Sequence, residues 1–127
     1  MNPSVPTMAE KFASVTLPRE FGYAMRDFVD RFNFSPSAAL VAEEPASLTA
    51  VLEDEGVADA YLASAASWLC RTHGLPVPAW AKGTSRALTK PFFAARTKAL
   101  KAVLLQESPA EFRIRNLFVS ANALSRA

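Results

Sequence analysis

The apolar positions along this chain fall mostly at helical spacing. Phe21, Met25, Phe28, Val29 and Phe32 recur at steps of four, three, one and three, the stripe of a helix predicted over residues 18–32. Thr16 stands where a cap is needed, and Pro18 and Glu20 suit a first turn whose backbone donors are unpaired. Ser35-Pro36 repeats the signal for a short helix through about Glu43. Glu44-Pro45 ends it, because the residue before proline is pushed out of the α region. Ser47 offers a cap for a further piece carrying Leu48, Val51 and Leu52. The longest periodic segment, about 54–73, aligns Val57, Tyr61, Ala65, Trp68 and Leu69. Acids precede it, Arg71 and His73 lie in its last turn, and Gly74 takes the C′ position. Its many alanines allow another helix to approach closely, which makes it the predicted centre of the fold.

Beyond Gly74, Leu75-Pro76-Val77-Pro78-Ala79-Trp80 must run extended, since two alternating prolines forbid a helix, and Trp80 anchors this strap. A basic connection over residues 82–93 leads to a helix predicted over 94–106, with Ala99, Leu100, Val103 and Leu104 on its stripe. Ser108-Pro109-Ala110-Glu111 reads as a capping box opening a short helix with Phe112. Leu117-Phe118-Val119 reads as a short extended segment, and Ser120 as the cap of a last turn reaching Arg126. Residues 1–17, with two early prolines and no sustained period, read as a flexible N-terminal arm with room for a short turn at Met8–Ala13. No stretch alternates as a strand bounded by hairpin turns. The expectation is an all-α chain: a single compact multi-helix domain over residues 18–127 with a central long helix and an extended Pro-x-Pro connection. Its predicted core is Phe21, Met25, Phe28, Phe32, Tyr61, Trp68, Trp80, Leu100, Leu104 and Phe112.

Composition fits that picture. Half of the 127 residues are hydrophobic and a fifth are charged, which is globular composition and enough chain for one core. Cys70 is the only cysteine, so no intramolecular disulfide forms, and no basic-then-apolar leader opens the chain. A reducing, cytoplasmic location is expected. The most apolar stretch, residues 57–70, is too short to span a bilayer. Net charge is only +2, yet residues 1–60 carry ten acids against four bases, and residues 61–127 ten bases against two acids. Either the halves neutralise each other on folding, or a basic face is left for a partner.

Candidate chemistry is sparse. Cys70 and His73, three apart on one helix, make at most two metal ligands, and no second pair exists to complete a site. They also lack a third group to orient the histidine as a base, so a buried cysteine beside a helix-terminal histidine is the simpler reading. Glu43-Glu44 and Glu53-Asp54-Glu55 read as solvated complements of helix dipoles rather than a catalytic pair. Lys82-Gly83-Thr84 has no upstream glycine loop to make a phosphate cradle. Tyr23, Trp68 and Trp80 at helical spacing read as core before they read as a cofactor box. No enzyme, cofactor or metal is expected. The best functional signal is the run Lys82, Arg86, Lys90, Arg96, Lys98 and Lys101, uninterrupted by acids and interleaved with Phe92-Phe93. Such a run can hold phosphates and stack on unpaired bases, or it can be a solvated lysine face with the phenylalanines as anchors.

The strings LPVPAW, PFF and LLQESPAEFRIRNLFVSANALSRA, behind the helix DAYLASAASWLCRTHG, resemble the C-terminal region of small bacterial proteins. Such proteins often carry an Xre-type helix-turn-helix ahead of it. The resemblance covers about residues 40–127 and is most specific at Glu107-Ser108-Pro109-Ala110-x-Phe112-Arg113-x-Arg115-Asn116. It implies a helical interaction domain, antitoxin-like or regulatory, from a two-gene module, and it carries over no catalytic residue. The chain departs from the pattern before residue 40, where no helix-turn-helix precedes the match. The expected function is a non-enzymatic protein-interaction or regulatory domain with a protein partner or self-association and no membrane. The alternative is nucleic-acid binding through residues 82–101.

Overall fold

A computed structural model of the protein describes residues 5–124. The phenylalanine stripe forms α2, Pro18–Phe34, with Met25, Phe28, Val29 and Phe32 buried and Phe21 packed at the edge of the core. Its start differs by one residue from expectation: Leu17 takes the cap position without a side-chain bond. The Glu20 carboxylate closes the turn instead, accepting from Thr16 N at 2.8 Å and Leu17 N at 3.1 Å. The central helix, α4, runs Val57–Thr72, with eleven of its sixteen residues buried. It begins later than expected because Asp54 spends its carboxylate on capping, accepting from Gly56 N at 3.0 Å and Ala58 N at 2.7 Å. Gly56 enters the helix at φ 94°, a conformation that favours glycine. At the other end Gly74 adopts φ 68°, and Leu75 N donates to Cys70 O at 2.8 Å, the long bond of a Schellman motif.

α4 is enclosed by α2, by the one-turn helix α3 (Thr49–Leu52), by α6 (Ala110–Arg113) and by the 3₁₀ turn Ala79–Ala81. Its buried Ala60, Ala63, Ser64, Ala65, Ala66 and Ser67 let these neighbours come close, and Ser64 Oγ donates to Glu111 O at 3.2 Å. A chain of edge-on and tilted rings, Phe12–Phe21–Tyr61–Phe112, threads the core with centroid separations of 5.2, 5.9 and 5.1 Å. The Pro-x-Pro strap is extended, and Trp80 anchors it as expected, its indole N–H donating to Val41 O at 2.8 Å.

Three expectations need correction. Residues 5–17 are not a loose arm. Thr7 and Glu10 form a capping box for helix α1, Met8–Phe12, and Met8, Phe12 and Val15 are buried in the core. Residues 1–4, and Arg126 of the predicted last turn, lie outside the described residues. Ser108 does not cap α6: Pro109 holds that position, and the Ser108 hydroxyl accepts from Val119 N at 2.8 Å while Leu104 O lies 2.6 Å away. A side chain that can bind a neighbouring segment inside the fold has no need of the local box. Leu100 is not core. It lies on α5, Lys98–Glu107, where only Leu104 is buried. The mostly helical fold carries one two-residue parallel pairing, β1 (Phe92–Phe93) with β2 (Leu117–Phe118), in the register Phe92 to Leu117. The segment 117–119 is thus extended as expected, and Phe92-Phe93 supplies the unforeseen partner.

Candidate interaction surfaces

The six basic residues that stood out in the sequence do not form one face. Arg86 is an internal residue with its side chain only 12% exposed. Its guanidinium donates to Pro45 O and to Glu44 Oε2 at 3.0 Å, stands 3.8 Å from Asp59, and lies 5.2 Å over the Trp80 ring. Asp59 is itself held by Leu48 N at 2.8 Å, Ser47 Oγ at 2.5 Å and Thr49 Oγ1 at 2.9 Å, so it ties α3 to α4. Lys82 lines a shallow pocket with Arg71 and Glu111. Lys90 lines a different groove, described below. The Lys101 ammonium sits 5.7 Å over the Phe93 ring, whose other neighbour is Phe118, stacked at 4.7 Å. Arg96 and Lys98 are exposed, with no ion pair or hydrogen bond among the described residues.

Arg115, which the sequence reading passed over, is fully buried and works as a structural hub. Its guanidinium donates to Ser85 O at 2.7 Å, Ala81 O at 2.7 Å and Glu111 O at 2.8 Å, binding the segment after the strap to α6. Burial pulls its pKa below the usual arginine value, and the Glu111 charge opposes that pull. The Glu111 carboxylate in turn pairs with Arg71 of α4. A planar fork with five donors suits three converging carbonyls in a way no other side chain does.

Cys70 is buried in the core, and burial raises its thiol pKa, which keeps it protonated. His73 faces elsewhere: a ring nitrogen lies 2.7 Å from Asn33 Oδ1 and the ring packs 5.7 Å from Phe32. No hydrogen bond joins Cys70 to His73 among the described residues. No group of three or more possible metal ligands occurs among them either, and no described helix is long and apolar enough to cross a membrane.

Two of the open surfaces combine apolar side chains with unpaired charge. The first is a groove of about 830 Å³ between the start of α2, the turn before α4 and the approach to β1. That size lies within the roughly 300–1,000 Å³ of ordinary binding pockets. Phe21, Val57, Tyr61, Leu88 and Phe92 give it apolar walls, Glu53, Asp54 and Glu55 line it from the turn, and Lys90 stands as its one cation. Asp54 is occupied as a cap, but the Glu53 and Glu55 carboxylates have no ion pair or hydrogen bond among the described residues. Both hold left-handed backbone, at φ 52° and 59°, which costs about 1 kcal/mol each. The second surface is α5. Thr97 caps it, accepting from Leu100 N at 3.1 Å, and Leu100 and Val103 are 54% and 47% exposed on one side, with Leu105 48% exposed on the other. By spacing alone Phe21 and Tyr61 read as core and the acids as dipole complements. Only the fold shows that they border one cavity.

Comparison with protein-family models, with curated proteins and with solved structures gives no significant match to this chain.

Proposed function

We propose that this chain is a non-enzymatic interaction module that binds another protein chain through α5 and the acid-lined groove. The observation that carries the reading is the state of α5. A ten-residue helix buries only Leu104, while Leu100, Val103 and Leu105 stay about half exposed. A helix this short is marginal alone in water, so an uncovered apolar side on it is a feature that a partner helix or groove explains. The finer form of the reading is an antitoxin-like or regulatory member of a bacterial two-gene module, acting in the cytoplasm. That form rests on the resemblance over residues 40–127.

The nucleic-acid alternative has less to stand on. Of its six cations, Arg86 is engaged inside the domain, Lys90 borders carboxylates and Lys101 covers Phe93. Phe93 is stacked on Phe118, so its faces are taken by the protein itself. Lys82, Arg96 and Lys98 alone provide little counterion release.

Co-expression with the product of the adjacent reading frame tests the proposal. The expected result is a complex that survives purification and is lost in Leu100→Glu. Failure to co-purify, combined with salt-sensitive retardation of duplex or single-stranded DNA, would reverse the choice between the two readings.

A further inference from the structure

The two open surfaces complement each other. α5 presents Leu100 and Val103 along one side, and Arg96 and Lys98 mark its N-terminal end; the groove presents apolar walls beside Glu53 and Glu55. None of these four charged residues has an ionic partner among the described residues. No residue of α5 lines the groove, and α5 is held to the domain through Leu104 against the β2 side, so one chain leaves both surfaces uncovered. We propose that a second copy of this chain covers them: α5 of each protomer seats in the groove of the other, in a symmetric dimer. The inference rests on the interaction-module reading and names the partner.

Three further observations support a second copy as the occupant. The charge division of the sequence is not cancelled inside the fold. Among the described residues, the ion pairs joining the acidic half to the basic half are those of Arg86 with Glu44 and Asp59. Glu53 and Glu55 on one side, and Arg96 and Lys98 on the other, are left to another molecule, and a copy of the same chain supplies both signs. Second, α5 carries its charges against its own dipole, with Lys98 and Lys101 in the first turn and Glu107 in the last. Seating the basic end on Glu53 and Glu55 offsets that penalty. Third, size favours reciprocity. A ten-residue helix is about 15 Å long and buries well under the roughly 800 Å² per partner of a standard interface. Two symmetric contacts double that area and close the assembly at two chains.

Sedimentation of the full chain over a range of concentrations, at low and high salt, tests this. The expected behaviour is a monomer–dimer equilibrium that weakens with salt. Arg96→Glu with Lys98→Glu places like charges in both contacts, and so does Glu53→Lys with Glu55→Lys. Each double variant alone should dimerise about tenfold more weakly or worse. Mixed together they restore opposite charge in both contacts, and a heterodimer should form nearly as tightly as the parent dimer. Lys98→Glu improves the fit of α5 to its dipole, so unravelling of the helix does not explain a loss, and unchanged circular dichroism checks this. A chain that stays monomeric at every concentration overturns the proposal. So does a dimer indifferent to both variants, or growth beyond two chains. A monomer that still binds the neighbouring gene product would overturn the dimer alone. A dimer without that complex would overturn only the two-gene form of the function.

Discussion

α4 and α5 both carry apolar residues at helical spacing, and the fold treats them oppositely. α4 buries eleven of sixteen residues and α5 one of ten. The difference lies in their neighbours. α4 has α2, α3, α6, the Ala79–Ala81 turn and β2 around it, and small residues on every side allow that crowding. α5 has the β2 side and little else. An apolar stripe states that a face gains by being covered. Whether the cover comes from the same chain is a separate matter, and in α5 the cover is missing from the chain itself.

The contrast can be broken at its strongest point first. Leu69→Ala in α4, at a fully buried position, should cost about 2–5 kcal/mol in urea unfolding, whereas Leu100→Ala in α5 should change monomer stability by less than about 0.5 kcal/mol. Equal losses at the two sites would mean that α5 is packed after all. Arg115→Lys keeps the charge but loses the planar fork that serves three carbonyls. A loss of roughly 1–3 kcal/mol is expected from the buried acceptors left unpaired.

A smaller effect concerns α1, whose Lys11 pairs with Asp27 of α2 at 2.5 Å. Hydrogen bonds from Lys11 and Arg31 hold the Asp27 pKa below the ordinary aspartate value, against a burial contribution that raises it. The folded pKa is therefore the depressed one. The stability from this pair is fully present above the unfolded aspartate range and is lost as pH falls through the folded value. For a half-exposed pair that amounts to about 0.2–1 kcal/mol, and Asp27→Asn should remove this part of the acid dependence. Smallest of all in energy is the reactivity of Cys70. Its thiol should resist an aromatic disulfide reagent in the native state and react fully on denaturation, as burial and the raised pKa require. Fast native-state labelling would show that the last turn of α4 opens readily, and would weaken the contrast with α5.

Much of the architecture was legible because it is written in short-range signals. Pro18 and Glu20 start α2, and Gly74 ends α4 at a positive φ. The capping box at Thr7 and Glu10 was equally legible. Two prolines nearby point instead to a loose arm with at most a short turn, while the burial of Met8 and Phe12 depends on contact with the rest of the core. The candidate surfaces were far less visible. The groove joins Phe21, Tyr61, Leu88 and Phe92 with a turn at residues 53–55, and no local pattern links positions so far apart.

What the sequence determined alone is the two long helices α2 and α4, the glycine that ends α4 and its central standing, because side-chain spacing and terminal hydrogen bonds act within a few residues. The tertiary structure decided which charges go inside and which apolar residues stay out. Arg86 and Arg115 meet carbonyls about thirty to forty residues away, and Leu100 meets none of the core its spacing promised. A charge is buried only where several distant acceptors converge on it, and an apolar face is buried only where a second surface arrives. Both conditions belong to the folded chain.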